Sequence, residues 1–254
     1  NLDFWAYDGT TWTNIGQDGP SLRTNAAMTY DSARQRLVLF GGISTQTFGT
    51  LQDTWEFDGT NWAPTIFGAE GFGIANASLA FDSNRQRVVL SGGFDLPNST
   101  FEYEGTQWIE ASTTTPGNGL PVVYSGAANR VVQLQAEPSL TWSWDGTTWS
   151  SVGLASIPAL NGHSMVYNAT NSRAMIFGGT TFLGRAAGEL WSFEGTRWSL
   201  VSNDGPSPRD RVGLVNDTQR GGLVLFGGFD PQNGASGETW TWNGSWSQLD
   251  IPGP

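Results

Sequence analysis

The stretch Asp53-Thr-Trp-Glu-Phe-Asp-Gly-Thr-Asn-Trp62 decides the fold. Its aromatic residues alternate with polar ones, and a period of two residues is typical of a β-strand with one buried face. The Asp58-Gly59 pair that follows supplies the positive φ angles that a tight hairpin turn requires. The stretch therefore predicts a β-hairpin with aromatic residues on both strands.

The chain of 254 residues contains this pattern six times. The other copies are Trp5–Trp12, Phe101–Trp108, Trp142–Trp149, Trp191–Trp198 and Trp240–Trp246. Their turn glycines follow one another at intervals of roughly 41 to 50 residues, which is the range of β-propeller blades. These glycines are Gly9, Gly59, Gly105, Gly146, Gly195 and Gly244. Six copies predict six hairpins in one repetitive all-β fold.

Two further predicted strands precede five of the hairpins. In the first unit, residues 26–31 and 36–42 flank a short turn, and the second segment ends in Gly41-Gly42. The apolar run Leu37–Phe40 is typical of a strand that is buried on both faces. One unit thus contains strand a, strand b, a variable loop, strand c, a tight turn and strand d. The third unit differs, because Gln135-Ala136 replaces the glycine doublet.

A glycine doublet after an apolar strand, followed by an aromatic strand and a spaced Trp, resembles the kelch repeat. The resemblance covers nearly the whole chain and implies one domain, residues 1–254, that forms a kelch-like β-propeller of four-stranded antiparallel blades. The spacing from Phe57 to Trp62 is shorter than in typical kelch sequences, which implies a tighter c–d turn. The missing doublet of the third unit implies a splayed or shortened blade.

The repeats leave one hairpin incomplete. The chain has six c–d hairpins but five a–b pairs, so the N-terminal hairpin lacks inner strands. We favour a ring of six blade positions in which one position holds a half-blade, because a ring otherwise leaves strand edges unpaired. One alternative is a five-bladed ring with the hairpin packed elsewhere. Another is that a neighbouring chain or an extension supplies the missing strands, which predicts a homo-oligomer or a larger assembly.

The composition restricts the class of partner. A net charge of −11 argues against nucleic acid and anionic membranes as partners. The chain contains no run of 18 apolar residues, so no membrane insertion is predicted. The absence of cysteine excludes disulfides, thiolate metal sites and a thiol nucleophile. Acidity, 13 Trp, 34 Gly and the absence of lysine together predict an extracellular or cell-surface protein. A genome with biased codon usage would explain the same composition.

The candidate binding residues lie in the loops that differ between units. The resemblance places the b–c and d–a loops on one face of the ring, and variable loops on a rigid scaffold usually carry recognition. An exposed Phe beside a charge suits a protein or glycan partner. The alternative, which we favour, is that these phenylalanines fold back as plugs over the blades. The b–c loop candidates are Phe48, Phe94, Asp95, Phe182, Arg185, Phe229 and Asp230.

Recurring charged residues predict structural pairs rather than a catalytic centre. Asp3, Asp53, Glu189 and Glu238 each lie two residues before the strand-c aromatic residue, and Arg23 and Arg209 open strand a in two units. We expect these arginines to pair with such acids near the channel, between blades. The doubled charge in Arg209-Asp-Arg211 makes Arg209 and Arg211 additional candidates for a carboxylate or anion contact. The single histidine, His163, has no predicted catalytic partner and is expected to pack structurally.

These observations favour a non-catalytic module that binds protein or carbohydrate through the variable loops, with no metal or other cofactor. A subunit of an extracellular assembly or fibre, completed by strand sharing, is one alternative. The other is a sugar-processing enzyme of the isomerase or lyase type with a site in the central channel, since some kelch-like propellers process sugars. A channel lined by non-repeating charges would favour the enzyme, and an apolar loop face would favour the binding module. Fold resemblance alone decides neither.

Overall fold

The computed structural model describes residues 4–16, 18–65, 73–94, 96, 98–117, 119–251 and 253. These residues form β-strands joined by turns and loops, and among them we find no helix that could cross a membrane. Five sheets have four antiparallel strands each, so the predicted all-β propeller of four-stranded blades is confirmed. In each blade the strands a, b, c and d follow one another in chain order.

The strands of the blades have the following bounds. Blade 1 contains β4 (Ala27–Asp31), β5 (Arg36–Phe40), β7 (Thr54–Phe57) and β8 (Trp62–Thr65). Blade 2 contains β9 (Ser78–Asp82), β10 (Arg87–Ser91), β11 (Thr100–Tyr103) and β12 (Trp108–Ser112). Blade 3 contains β13 (Val122–Ser125), β14 (Arg130–Gln135), β15 (Leu140–Trp144) and β16 (Trp149–Leu154).

Blade 4 contains β17 (Ser164–Asn168), β18 (Arg173–Phe177), β19 (Leu190–Phe193) and β20 (Trp198–Ser202). Blade 5 contains β21 (Gly213–Asp217), β22 (Gly222–Phe226), β25 (Thr239–Trp242) and β26 (Trp246–Leu249). The N-terminal hairpin pairs β1 (Phe4–Tyr7) with β2 (Trp12–Gly16). Two short sheets pair β3 (Arg23–Thr24) with β6 (Ile43–Ser44), and β23 (Phe229–Asp230) with β24 (Gly234–Ala235).

The c–d turn is held by the side chain of its first residue. The carboxylate of Asp58 accepts hydrogen bonds from the backbone amides of Thr60 and Asn61, at 2.8 and 2.7 Å. Asp145 does the same in blade 3, and bonds from the amides of Thr148 and Thr147 lower its pKa to about 2. The Asp-Gly-Thr pattern therefore recurs because it closes the tight turn of each hairpin.

The third blade is neither shortened nor incomplete. Its strands b and d have six residues each, and strand b keeps five residue pairs with strand c. The prediction drawn from the missing glycine doublet was therefore wrong. Gln135 instead accepts a hydrogen bond from Nε1 of Trp142 at 2.8 Å, which holds the b–c connection without a doublet.

Apolar side chains fill the space between successive blades in four separate clusters. Leu79 in strand a of blade 2 packs with Val38 and Phe40 of blade 1, whereas the next residue, Ala80, packs with Val122 of blade 3. Strand a thus turns alternate residues towards its two neighbours, as the pleat of a β-strand requires. Corresponding clusters join blade 3 to blade 4 and blade 4 to blade 5.

A hydrogen bond from a strand-d Trp to a strand-c Thr links neighbouring blades. Nε1 of Trp108 in blade 2 donates to the hydroxyl of Thr54 in blade 1 at 2.9 Å. Blades 3 and 2 repeat the bond through Trp149 and Thr100 at 2.9 Å. Blades 4 and 3 repeat it through Trp198 and Thr141, also at 2.9 Å.

The N-terminal hairpin takes the place of strands c and d in a sixth blade. Nε1 of Trp12 donates to the hydroxyl of Thr239 in blade 5 at 3.3 Å, and the Trp12 ring lies 5.1 Å from that of Phe226. On the other side, the ring of Phe4 lies 5.3 Å from that of Trp62 in blade 1. The hairpin therefore lies between the fifth and first blades, which agrees with six positions and one half-blade.

Candidate binding surface

The d–a and b–c loops meet at one end of the blades, which we call the loop face. Strand β3 in the segment before blade 1 pairs with β6 in the b–c loop of that blade. In blade 5, Asp210 and Phe229 form the equivalent bridge between the two loops. In blade 4, Asn161 and Thr180 form a bridge of the same kind. Backbone hydrogen bonds thus attach the b–c loops of blades 1, 4 and 5 to the preceding connection, which gives the loop face a fixed frame.

An arginine clasp reinforces that frame in blades 1 and 5. Arg209 donates from Nη1 to the Gly227 carbonyl at 3.3 Å and from Nη2 to the Glu238 carboxylate at 2.7 Å. Arg23 makes the same contacts in blade 1, to the Gly41 carbonyl at 3.0 Å and to Asp53 at 2.5 and 2.6 Å. These arginines do pair with the recurring acids, as predicted, but the expected position between blades was wrong, because each clasp joins the segment before a blade to residues that adjoin strands b and c of that same blade.

The clasp also explains the charge state of its acids and the role of Arg209. Burial raises the pKa of Asp53, but the hydrogen bonds from Arg23 and Trp55 outweigh it and the pKa is lowered. Arg209 is buried, and its donors are directed to Ser207, Gly227 and Glu238. We therefore assign Arg209 to the frame and leave it out of the surface that faces a ligand.

The recurring acid does not have the same partner in each blade. Glu189, in blade 4, accepts a hydrogen bond from the backbone amide of Gly188 at 3.1 Å, and the described residues show no arginine on it. Asp3 and Asp95 lie outside the described residues. Of the three recurring acids that the structure describes, Asp53 and Glu238 thus belong to an arginine clasp and Glu189 does not.

The phenylalanines of the loop face point into solvent. Phe182 is 82% exposed and the following Leu183 is 90% exposed, although burying such side chains is ordinarily favourable. Phe48, Phe94 and Phe229 are also exposed. The preferred expectation that these rings fold back as plugs was wrong, because their side chains are accessible to solvent.

Arg211 belongs to this exposed surface, unlike Arg209. Its guanidinium Nε lies 3.5 Å from Oδ1 of Asp210, and three quarters of the side chain, 76%, is accessible to solvent. Arg211 and Phe48 also have positive φ angles, 53° and 56°, which residues other than glycine rarely adopt. The doubled motif Arg209-Asp-Arg211 thus divides into one buried structural residue and one exposed cation.

A groove of about 300 Å³ lies between the b–c loops of blades 4 and 5. Arg185 and Asp230, both predicted as candidates, lie on its opposite sides together with Gln232 and Asn233. Asp230 accepts hydrogen bonds from the Gln232 amide at 2.8 Å, Asn233 at 2.7 Å and Ser207 at 3.1 Å. These bonds lower the pKa of Asp230, so the groove contains a fixed carboxylate opposite an exposed guanidinium.

Sequence reasoning did not single out Leu183, Gln232 and Asn233 as site residues. Leu183 follows Phe182 in the same loop, and two adjacent large apolar residues in a glycine-containing loop were a usable signal. The roles of Gln232 and Asn233 depend on how the Asp230 turn closes, and their residue types alone do not indicate it. The structure also brings Arg185 and Asp230 to one groove, although 45 positions of the sequence separate 185 from 230.

The central channel has a different character. Strand-a residues of all five blades line a cavity of about 580 Å³, and the side chains along it are apolar or neutral. They include Met28, Leu79, Val123 and Met165, with Tyr30, Tyr124 and Tyr167 as the ionisable groups. Among the described residues we find no group of three or more metal-ligating side chains. The observed channel is therefore not the charged type that would favour catalysis.

His163 is buried beside the loop face. Its Nδ1 lies 2.9 Å from the Leu160 carbonyl, which places the proton on Nδ1 in the neutral ring. Burial lowers the pKa of His163 to about 4, although the bond to Leu160 acts in the opposite direction. The ring is thus neutral at physiological pH and serves packing, in line with the structural role expected for it.

Comparisons with known proteins identify the fold but no family. No protein-family model matches the chain, and no curated protein sequence matches it. The structure of YjhT is similar, with a TM-score of 0.73 and 13% sequence identity over 98% of this chain and 91% of that one. An identity of 13% supports a common propeller architecture and no more. Membership of the kelch family therefore stays a prediction.

Proposed function

We propose that the protein is a non-catalytic binding module that holds a protein partner on its loop face. The observation that carries this proposal is the exposure of Phe182 and Leu183 at the tip of one rigidly attached loop. Aromatic and arginine side chains are enriched at the energetic centres of protein interfaces, and Arg211 and Phe229 extend the same surface. A secreted or cell-surface partner agrees with the acidic composition of the chain.

The groove between blades 4 and 5, in which a few polar side chains lie on a largely apolar lining, supports a carbohydrate as the second candidate ligand. Its volume of about 300 Å³ is at the lower end of small-ligand sites. Arg185, Asp230 and Asn233 provide planar polar groups that can bond to adjacent hydroxyls. Exposed phenylalanines nearby provide flat apolar surfaces, which suit the apolar face of a sugar ring.

The neutral channel supports binding rather than catalysis. An acid–base mechanism requires two titratable groups with different environments, placed on either side of a substrate. The side chains along the channel are apolar, hydroxyl or amide groups. Among the described residues that line the channel we find none of the non-repeating charges that would favour an isomerase or lyase site there.

Photocrosslinking tests the proposal at the loop tip. Leu183 is replaced by a photoreactive phenylalanine analogue. The purified variant is then mixed with an extract of the secreted and surface proteins of the source organism and irradiated. Ile109, an exposed residue of strand d in blade 2, receives the same replacement as a matched control. We expect a discrete protein adduct from position 183 alone, because that position lies inside the proposed interface.

The affinity of the identified partner then separates the two candidates. Phe182→Ser should weaken binding by about tenfold or more, the effect of losing roughly 1.4 kcal/mol at an interface. Ile109→Ser should leave the affinity unchanged. Equal adducts from both positions would contradict the proposal. Binding to a glycan array that is lost with Arg185→Ala and kept with Phe182→Ser would favour the carbohydrate.

A further inference from the structure

The wall of blade 1 that faces the sixth position is uncovered. Met28 is 55% exposed, whereas Leu79, at the same position of strand a in blade 2, is 7% exposed. Tyr30, two residues further along the same face, is exposed as well. In strand b of the same blade, Leu37 and Leu39 are half-buried, although their counterparts in the other blades are buried. This wall lacks the neighbour that blades 2 to 5 have.

The wall of blade 5 that faces the sixth position is uncovered in the same way. Val215 is 58% exposed, and it corresponds to Ala80, Val123 and Val166, which are buried against the following blade. Strand β21 packs against β17 of blade 4 on its other side. The two uncovered walls therefore flank one opening, and each uses the face that elsewhere forms an interface between blades.

Strand β1 forms the outer boundary of this opening and has a free edge. In each complete blade strand c pairs with both b and d, but within the described part of the chain β1 pairs with β2 alone. The blade register fixes which residue an incoming strand b would meet. In blade 1, Phe40 pairs with Thr54 and Leu37 with Phe57, so an equivalent five-residue strand would place its last residue opposite Phe4 and its second opposite Tyr7.

We propose that the open sixth position binds an apolar β-hairpin with the pattern of strands a and b. The hairpin would enter between β21 and β4 and pair its second strand with the free edge of β1. Strand addition of this kind gains backbone hydrogen bonds from the edge and specificity from alternate side chains. Apolar residues are required on both of its faces, because each face meets one uncovered wall.

The interface that the hairpin would complete already exists elsewhere in the ring. Met28 and Tyr30 correspond to Met165 and Tyr167 in blade 4, and these pack against Val123 in strand a of blade 3. A β-branched residue in the middle of the incoming first strand would therefore fit the blade 1 wall. Two strands are needed, because the residue that contacts the blade 1 wall lies in strand a, whereas strand b is the strand that pairs with β1. The geometry therefore indicates a hairpin rather than a single strand.

A second copy of this protein is a poor source of the hairpin. Each a–b pair in the structure is joined to its own strand c, as β22 is to β25 through four residue pairs. Donation of an a–b pair would break those pairs and expose the cluster that contains Leu223 and Leu225. The occupant is thus a hairpin that is not already part of a blade.

A peptide with the sequence of residues 120–135 provides the probe, since it copies the a–b hairpin that already packs against Met165 and Tyr167. Its binding to the whole protein is measured by fluorescence anisotropy, and amide exchange is followed by mass spectrometry. We expect saturable one-to-one binding and slower amide exchange in the segment Phe4–Tyr7, in which alternate N–H groups point to the free edge. A scrambled peptide of the same composition should not bind.

Two variants and one control locate the site. Met28→Asp and Val215→Asp should each weaken peptide binding by about tenfold or more, because each buries a carboxylate in an apolar interface. Both residues are exposed, so these variants should fold. Phe182→Ser should bind the peptide normally, which separates this inference from the proposed function.

Several outcomes would overturn the inference. These are no peptide binding, binding that Val215→Asp does not weaken, or binding without protection of β1. Light scattering provides a further test with the protein alone. A dimer that Val215→Asp dissociates would show that a second copy covers the opening and that the hairpin is not the occupant.

Discussion

At the residue scale, burial determines how individual charged and polar groups behave. Arg209 and Arg211 are two positions apart, yet one is enclosed by carbonyl and carboxylate oxygens and the other extends into solvent. The pairing of Arg23 and Arg209 with acids could be predicted because the residues recur with the repeat. The exposure of Phe182 could not, because it depends on the path of a loop that occurs once.

His163 provides a test of burial through pH. Its pKa of about 4 lies below the ordinary value of 6.5, so between these values the unfolded chain binds a proton that the folded chain excludes. The stability associated with the neutral ring is fully present above pH 6.5 and is lost as the pH falls towards 4, by up to about 3 kcal/mol. As His163 is the single histidine, proton NMR reads its titration directly.

We expect the ring protons of His163 to titrate with a midpoint near pH 4 and to keep their neutral chemical shifts near pH 6.5. His163→Asn, which keeps a donor near the Leu160 carbonyl, should flatten the dependence of unfolding free energy on pH between 6.5 and 4. An inflection near pH 6.5 in the folded protein would mean that solvent reaches the imidazole.

At the element scale, one hydrogen bond recurs with the blade. The strand-c Thr and the strand-d Trp of the next blade are held together at four of the six junctions, the fourth being Thr239 with Trp12. The signal was present in the sequence, since Thr54, Thr100, Thr141 and Thr239 each precede the strand-c aromatic residue. Where Leu190 or Phe4 takes that place, the indole nitrogens of Trp246 and Trp62 are buried without a partner among the described residues.

Thr141→Val tests the contribution of this bond. The change preserves the shape of the side chain but leaves Nε1 of Trp198 buried without an acceptor, which should lower the unfolding free energy by about 1–3 kcal/mol. Chemical denaturation gives the value. Thr141→Ser retains the hydroxyl and should cost less than the valine variant, and equal losses in the two variants would indicate that packing, rather than the bond, holds the junction.

At the scale of the whole molecule, the position of a blade in the ring decides whether an apolar residue is buried and how much it contributes to stability. Strand a of blade 1 is as apolar in sequence as strand a of blade 2, so nothing local indicates that Met28 is exposed and Leu79 buried. The repeat count did predict the cause, because six c–d hairpins and five a–b pairs leave one position incomplete. Which walls are uncovered follows from the three-dimensional arrangement alone.

Paired substitutions measure this difference. Leu79→Ala should lower the unfolding free energy by about 2–5 kcal/mol because it opens a cavity between two blades. Met28→Ala, at the equivalent position, should change it by less than about 1 kcal/mol because solvent already reaches the side chain. Thermal or urea unfolding of the two variants gives the comparison. Losses of the same size would show that the blade 1 wall is covered in solution.

The bond between Trp12 and Thr239 also sets the order of events during synthesis. It joins residues 227 positions apart, whereas the blades contact their neighbours along the chain. At ribosomal rates of about 5–20 residues per second, the N-terminal hairpin waits roughly 10–45 seconds for the blade that receives it. During that time the ring of Trp12 lacks Phe226 and its indole N–H lacks Thr239, so this hairpin is among the last elements to reach its final place.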